Sequence, residues 1–474
     1  MNLKKLVNDN TYDILRKIYI TLFMIAVFTR VLMPIASHET QFINTLVFSV
    51  VALFGAFVIC VDFFSRKIMF RAPNVIWLLI FILICIVSSL INIQYGLIGN
   101  IRNTVWLAIS FFLLYPIDNE RSKKSVKSEI KYISNTLIIV WTMACVISLI
   151  MFLLKIGYYI DIFPNSFSRQ GFIEGRLFGI FEDPNFAAVV AIIVVILDIF
   201  NVKTTKKKLL KAFYIISIVI NYIYIVLSGS RTAEVALVIT SFISIYFIVF
   251  KKSKSYKLNS IIKQAFIILI SLITSLAILF STSITKKIMS YLPNFIGASF
   301  SSTNMVDSRL KKPIDTTRED ISNSSDLSNC RFKIWMSALE LFKSKPIFGT
   351  SPRNMRSYAK AEFPNGFIAK RSYAVHNAYI DVLTSTGIMG ATVIIVFFVK
   401  YLYDIFKYLF SKEQKENYYI VLFNFSIVTT IAVSAVFLSE IFFVNTIGVL
   451  MFWLNLGYSY FYIDKDKIIS DKEK

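Results

Sequence analysis

Three short stretches of the chain hold residue types that could do chemistry at spacings that would expose them together. The first, GRLFGIFEDPNFAA (Gly175–Ala188), carries Arg176 shortly before Asp183-Pro184-Asn185. That triplet is a helix-start signature with proline at an early helical position. A helix N-terminus already favours anions, so an arginine beside it marks a place for negative charge. The second, SGSRTA (Ser228–Ala233), is a turn whose Gly229 lets the chain reverse and present Arg231, with Glu234 one turn deeper. The third, HNAYIDVLTSTGIMG (His376–Gly390), places His376 as the expected cap of a helix, followed by Asn377, Tyr379 and Asp381. Histidine is the side chain best matched to proton transfer near neutral pH. Gly387 and Gly390, with Thr384, form a small-residue face suited to close helix packing.

Arginine binds phosphate oxygens bidentately, so the pair Arg176 and Arg231 would suit a phosphorylated ligand. Taken singly, each could equally snorkel at a membrane interface, and His376 could be an ordinary loop residue. The other histidine, His38, falls in a short polar turn and reads as solvated. The sequence offers no DxD-like acidic pair at an outer helix end, no Walker loop and no Cys/His cluster with ligand spacing. Of the four cysteines, only Cys330 lies in a long polar segment, which excludes a disulfide framework there. The expected chemistry uses cations and a base, with no metal and no cofactor.

What must position these residues follows from composition. The 474 residues carry a net charge of +22, with 56% hydrophobic and 17% charged residues and a mean hydropathy of +0.64. Soluble domains are typically about 45–50% apolar and about 25% charged, so a soluble multidomain enzyme is excluded, as is a disordered chain. The lysines cluster between long apolar runs, which points to an all-α polytopic membrane protein and away from nucleic acid. Windows of roughly 20 apolar residues give about twelve spans, starting near Ile18, Phe42, Asn74, Leu97, Tyr132, Phe186, Leu210, Arg231, Ile262, Ala378, Tyr418 and Thr446. The first run carries Arg30 and lacks a small-residue cleavage site, so it reads as a retained span.

Lys4, Lys5, Arg16 and Lys17 precede the first span, and the even-to-odd connections are all basic, as is the tail. The short alternate connections around Glu39, Gln94 and Asn445 are nearly free of Lys and Arg. By the positive-inside rule both termini are cytoplasmic. Two long segments then lie outside, one near residues 157–185 and one at residues 284–375. The expected organisation is spans one to nine in residues 1–283, the large outer loop in 284–375, and spans ten to twelve with the tail in 376–474. The loop holds about fifteen basic and seven acidic residues. Its Ser/Asn/Asp-rich part, Ser299–Asn329, reads as flexible. Beyond it Phe332, Trp335, Leu339 and Phe342 recur at helical spacing, which predicts an amphipathic helix on the outer membrane surface. Arg30, Arg102, Asp198, Glu234 and Asp381 fall within spans, where an ionisable group costs roughly 2.5–3.5 kcal/mol or more. Asp198 and Arg30 read most simply as snorkelling or paired.

The order of these motifs, with CRFKIWMSALELFKSKPIFG in the long loop, resembles the O-antigen ligase and polysaccharide polymerase superfamily. The similarity runs from Arg176 to Gly390, and the HNAY…G–G piece is its most specific part. Two positions depart: Ser351 stands where a second glycine is common after PIFG, and Ser385 where a carboxylate is common. The resemblance implies twelve-span bacterial plasma-membrane enzymes acting at the extracytoplasmic face on glycans carried by a polyprenyl diphosphate. In this chain it would assign Arg176, Arg231, Arg331 and Arg353 to the diphosphate and His376 with Arg231 to catalysis. Asn185, Glu234, Asn377, Tyr379 and Asp381 would support them. A polymerase joining lipid-linked repeat units is the first expectation, and the high Lys, Ile and Asn content tilts it toward a capsule polymerase. A chain-length regulator and a flippase would be its partners, alongside membrane lipids, the lipid-linked donor and a glycan acceptor. The alternatives are a ligase that moves finished glycan to another acceptor, and a lipid-linked glycan flippase. The last should show repeat symmetry and a long central cytoplasmic connection, and neither is visible.

Overall fold

The structure, a computed structural model, describes residues 9–36, 41–163, 166–253, 259–299, 312–319, 329–411, 413 and 415–472. The expectations for Lys4, Lys5, His38, Glu39 and most of Ser299–Asn329 lie outside the described residues. The helices are α1 (Asp9–Val31), α2 (Gln41–Ser65), α3 (Val75–Ile91), α4 (Ile98–Ile109), α5 (Lys123–Leu153), α6 (Pro184–Thr204), α7 (Lys208–Leu227) and α8 (Arg231–Ser253). They continue as α9 (Ser260–Ser299), α10 (Arg331–Ser344), α11 (Met355–Glu362), α12 (Phe367–Arg371), α13 (Ala378–Leu409), α14 (Tyr418–Ser434) and α15 (Ile447–Lys472). Each of the twelve expected spans falls on one of these helices. Among the described residues seven helices are long and apolar enough to cross a membrane, and three shorter helical runs are apolar as well. The chain is mostly helical but not wholly so. The first long segment folds into an antiparallel sheet, β1 (Gly157–Phe163), β2 (Ser166–Ile173) and β3 (Arg176–Gly179), in the order β1-β2-β3.

The chain forms two compact units. One comprises residues 1–27, 45–129 and 330–474. Its interior is aromatic: Trp453 is buried against Phe111, with ring centroids 4.7 Å apart, and against Phe397 and Phe442. Arg16, expected ahead of the first span, instead lies inside α1 and is fully buried. It donates to Leu113 O, Leu114 O and Pro116 O and pairs with Glu129. Glu129 also takes Arg121 at 2.8 Å and the Tyr458 hydroxyl at 2.7 Å. A buried charge is tolerable only when paired and hydrogen-bonded in this way.

In the same unit the long loop builds its own small core. Helix α10 buries Ile334, Ala338 and Leu341 against Met355, Tyr358, Ile368 and Val375. Phe332 and Met336 face outward. The buried stripe is thus rotated from the expected Phe332–Leu339 stripe, because α11 and α12 supply the partners that the sequence pattern left to lipid.

The second unit comprises residues 28–44 and 130–329. In it α6 packs on α7 and α8, and α9 on α7 and α8. Asp198 does not snorkel. It is fully buried, takes the Ser217 hydroxyl at 2.6 Å, and ends a chain in which Asn221 donates to Thr142 and Thr142 and Ser217 share a 2.7 Å bond. Arg30 is exposed and acts electrostatically on Glu182.

Candidate functional site

In the second unit, Arg176 is placed by a hairpin. Glu174 and Gly175, the two residues between β2 and β3, both have positive φ (52° and 71°), and Ile173 pairs with Arg176. Two positive φ angles in a two-residue connection define a type I′ turn, whose twist matches that of the strands. Arg176 then starts a fully buried strand and is itself 6% exposed. Its Nε donates to Ser228 O at 2.9 Å and its Nη2 to Asn185 Oδ1 at 2.9 Å. Asn185 is oriented in turn, because its Nδ2 and its backbone N–H both donate to Asp183 Oδ1 (2.9 and 2.7 Å). The Asp183-Pro184-Asn185 signature therefore does cap α6, and it also locks the partner of Arg176.

Arg231 opens α8. Ser230 caps that helix by accepting from Ala233 N at 3.2 Å, while Ser228 Oγ accepts from Ser230 N at 3.2 Å. The carbonyls that end α7 face two arginines, Ser228 O taking Arg176 and Gly229 O taking Arg318 at 2.8 Å. Helix C-terminal carbonyls carry partial negative charge, which cations satisfy. The stems of both arginines pass Gly229 closely, 3.3 and 3.5 Å from where a Cβ would stand. Glu234 sits in the field of Lys286, Arg318 and Arg231, and Lys286 in that of Glu234, Arg318 and Arg176. Four cations and one carboxylate thus converge on the SGSR turn.

Lys286 and Arg318 were missed by sequence reasoning. A signal existed for the lysine: Lys286-Lys287 ends a span on the side where short connections lack cations. Nothing local singled out Arg318, which reaches the cluster through the segment 312–319. That segment is fixed by Ile314 N donating to Ser290 O at 2.9 Å, and by Glu319 N donating to Glu174 O at 3.4 Å. Gly175 is required beneath it, because a Cβ there would stand 1.8 Å from Thr317 O.

Arg331, Arg353, His376, Asn377, Tyr379 and Asp381 belong to the other unit. Asn377 caps α13, its side chain accepting from Tyr379 N and Ile380 N at 3.0 Å each. Ala378 N donates to Ala435 O at 2.8 Å and the Tyr379 hydroxyl to Ala432 O at 2.7 Å, which ties this helix start to the end of α14. His376 immediately precedes the cap, half-buried, with φ 51°. Trp335 Nε1 holds the preceding Val375 O at 3.2 Å. Asp381 accepts from Ser385 Oγ at 3.2 Å and feels the charges of Arg353 and Arg356. Arg331 stacks over Phe437, and Arg353 donates to Phe443 O at 3.4 Å.

Helix α13 is broken at Gly387 (φ 66°, ψ −167°). The open backbone is paired by the PIFGTS segment. Thr350 N and Ser351 N each donate at 2.9 Å to Thr384 O and Ser385 O, and Ile388 N donates to Pro346 O at 2.8 Å. Non-helical backbone at this depth is tolerable only when satisfied by protein in this way. A Cβ on Gly387 would stand 2.2 Å from Ile347 O, so the close approach predicted here is to a loop segment and not to a helix face. Gly390 does approach a helix, Phe81 of α3. Ser351 has φ 72°, the conformation a glycine adopts freely.

Among the described residues no group of three His, Cys, Asp or Glu side chains is close enough to share a metal ion. Residues 216–395 match the family model described as O-antigen ligase, the superfamily that the motifs resemble. The match includes Arg231, Lys286, Arg318, Arg331, Arg353, His376 and Asp381, while Arg176 and Asn185 lie before it. A comparison with curated proteins found no match. The apolar helices make the chain an integral membrane protein, and its residues 216–395 are similar to the O-antigen ligase family. Members of that family are glycosyltransferase-type enzymes acting on lipid-linked glycans.

Proposed function

We propose that the chain is a polysaccharide polymerase of the O-antigen or capsule type, working at the outer face of a bacterial plasma membrane with both termini in the cytoplasm. Its donor is a glycan on a polyprenyl diphosphate, and its acceptor is a sugar hydroxyl of another lipid-linked repeat unit. The observation that carries this reading is the cationic cluster at the SGSR turn. A diphosphate leaving group needs positioned positive charge, and Arg176 is held by two hydrogen bonds on a buried strand, where fixed donors act without reorganising.

In this reading Arg176 and Arg231, with Arg331 and Arg353, hold the diphosphate. The acceptor oxygen attacks the anomeric carbon while the bond from that carbon to the diphosphate oxygen breaks. The electron pair leaves with the diphosphate, the hydroxyl proton passes to His376, and configuration inverts. A positioned base contributes roughly 10²–10⁴-fold, and stabilisation of the departing charge often more. Transfer of finished glycan to another acceptor uses the same chemistry and is the second reading, the matched family being described as O-antigen ligase.

Surface glycan from a deletion strain separates the two. Single repeat units at the surface are expected for the polymerase. Long chains retained on lipid would make the protein a ligase, and unchanged glycan would remove both readings.

A further inference from the structure

Beyond the cationic cluster, the second unit contains an open groove of about 760 Å³ that no step of the proposed reaction has used. One wall is α9 at Ser283, Lys286, Lys287 and Ser290, and the other is the segment 313–318. Ligand cavities of about 300–1,000 Å³ with a few convergent polar groups are typical of small-molecule sites. This one is contiguous with the cluster, because Lys286 and Arg318 belong to both.

Its height along α9 can be placed. The helix has 40 residues and so extends about 60 Å, twice the roughly 30 Å of hydrocarbon in a bilayer. Counted from Ser260 at the cytoplasmic end of the proposed orientation, a bilayer core is crossed by about residue 280. Ser283 to Ser290 therefore stand where the helix leaves lipid for water. The roof is stitched down at both ends. Ile314 N bonds Ser290 O and Asn294 Nδ2 bonds Lys312 O on one side, while Arg318 and Glu319 bond Gly229 O and Glu174 O on the other. The lining carries hydroxyls at Ser283, Ser290, Thr316 and Thr317 amid mostly apolar surface. Asp315 is held below the usual carboxylate range by the Thr317 N–H at 2.7 Å, so it stays an acceptor at neutral pH.

A polyprenyl diphosphate bound at the cluster would leave its lipid in the bilayer and direct its glycan away from it. We propose that this groove is a binding subsite for the sugar residue adjacent to the diphosphate, with Thr316, Thr317 and Asp315 meeting its hydroxyls and Lys286 and Arg318 spanning the sugar–phosphate junction. The proposal rests on the diphosphate reading above, and it makes the donor's first sugar a specificity determinant.

The test uses the full-length protein in lipid nanodiscs and two probes: bare polyprenyl diphosphate, and the lipid-linked glycan extracted from the deletion strain. The glycan-bearing lipid should bind about tenfold tighter, the size of two or three net hydrogen bonds. Ser283→Trp, an exposed position that would fill the groove, should erase that difference while the bare lipid binds as before. Thr316→Val combined with Thr317→Val, which removes the hydroxyls and keeps the shape, should erase most of it. Equal affinities in the wild type, or a tenfold preference that survives Ser283→Trp, would overturn the subsite. Failure of bare polyprenyl diphosphate to bind, or binding indifferent to Arg176→Ala, would instead overturn the diphosphate reading beneath it.

Discussion

The guanidinium of Arg176 commits Nε to a carbonyl that ends α7 and Nη2 to an asparagine that opens α6, and these bonds fix the plane of the group. An ammonium offers the same charge but cannot make both bonds in one plane while facing a ligand. Arg176→Ala and Arg231→Ala should each lower glycan transfer more than tenfold, since one charge-assisted hydrogen bond is worth roughly 1.5–3 kcal/mol. Arg176→Lys should recover little of that loss. Full activity of both alanine variants at matched protein levels would return the two arginines to an interfacial role. His376 is tested differently. It precedes the Asn377 cap on a backbone held by Trp335, so its replacement should leave the helix start intact. His376→Gln keeps hydrogen bonding but takes no proton, and transfer should fall by roughly 10²–10⁴-fold while donor binding persists. Substantial activity in His376→Gln would mean that the side chain only orients the loop.

The broken α13 sets the limit of what patterns reveal about elements. The start of that helix was legible, but its cap is Asn377, where His376 was expected to cap it, because the asparagine side chain accepts from two backbone N–H groups of the first turn. The break was not. Gly387 suits a small-residue packing face as well as it suits positive φ, and what decides between them is pairing with Pro346–Ser351, remote in sequence. The hairpin that aims Arg176 escaped for a related reason, since Glu-Gly is a weaker turn signal than Asn-Gly or Asp-Gly. Asn185, Arg231 and Glu234 were found because each lies in the first turn of a helix, and Arg176 because it shortly precedes the Asp183-Pro184-Asn185 helix-start signature. Arg318 was not, since only tertiary contact brings it to Gly229. The pairing at the break yields a prediction at Ser351, where φ is 72° and the side chain is fully buried with no hydrogen-bond partner for its hydroxyl. A left-handed non-glycine residue costs roughly 1–2 kcal/mol, partly offset by the roughly 0.5–1 kcal/mol of backbone entropy that glycine loses. Ser351→Gly should therefore stabilise the protein by up to about 1 kcal/mol, read as a higher thermal midpoint in detergent, with transfer unchanged. A lowered midpoint would mean that the serine makes an interaction worth more than the strain.

At the scale of the whole molecule, the site's location depends on which way the chain is threaded. The net charge of +22 is not spread evenly. Lys203, Lys206, Lys207, Lys208 and Lys211 crowd the connection between α6 and α7, and Lys251 and Lys252 end α8. The connection from α7 to α8 is only Ser228, Gly229 and Ser230, with Arg231 opening α8, and β3 and the start of α6 join it at that same end through Arg176. Lysines in short connections are retained in the cytoplasm, and the proposed orientation, which has the cluster outside, rests on this charge pattern. The basic segment after α9 does not argue the other way, because long loops cross regardless of charge. A reporter active only outside should be silent when fused after Lys208 and active when fused after Asn323, and a reporter active only in the cytoplasm should give the reverse. Each lysine in such a connection adds to the bias, so replacing Lys206, Lys207 and Lys208 with glutamine should weaken the asymmetry without inverting it while the other basic connections remain. If both fusions report the same side, α7, α8 and α9 do not all cross, and the orientation collapses together with the water-facing position assigned to Ser283–Ser290. If the two sides are exchanged, the cluster faces the cytoplasm, and chemistry on an exported glycan is removed along with the sugar subsite built upon it.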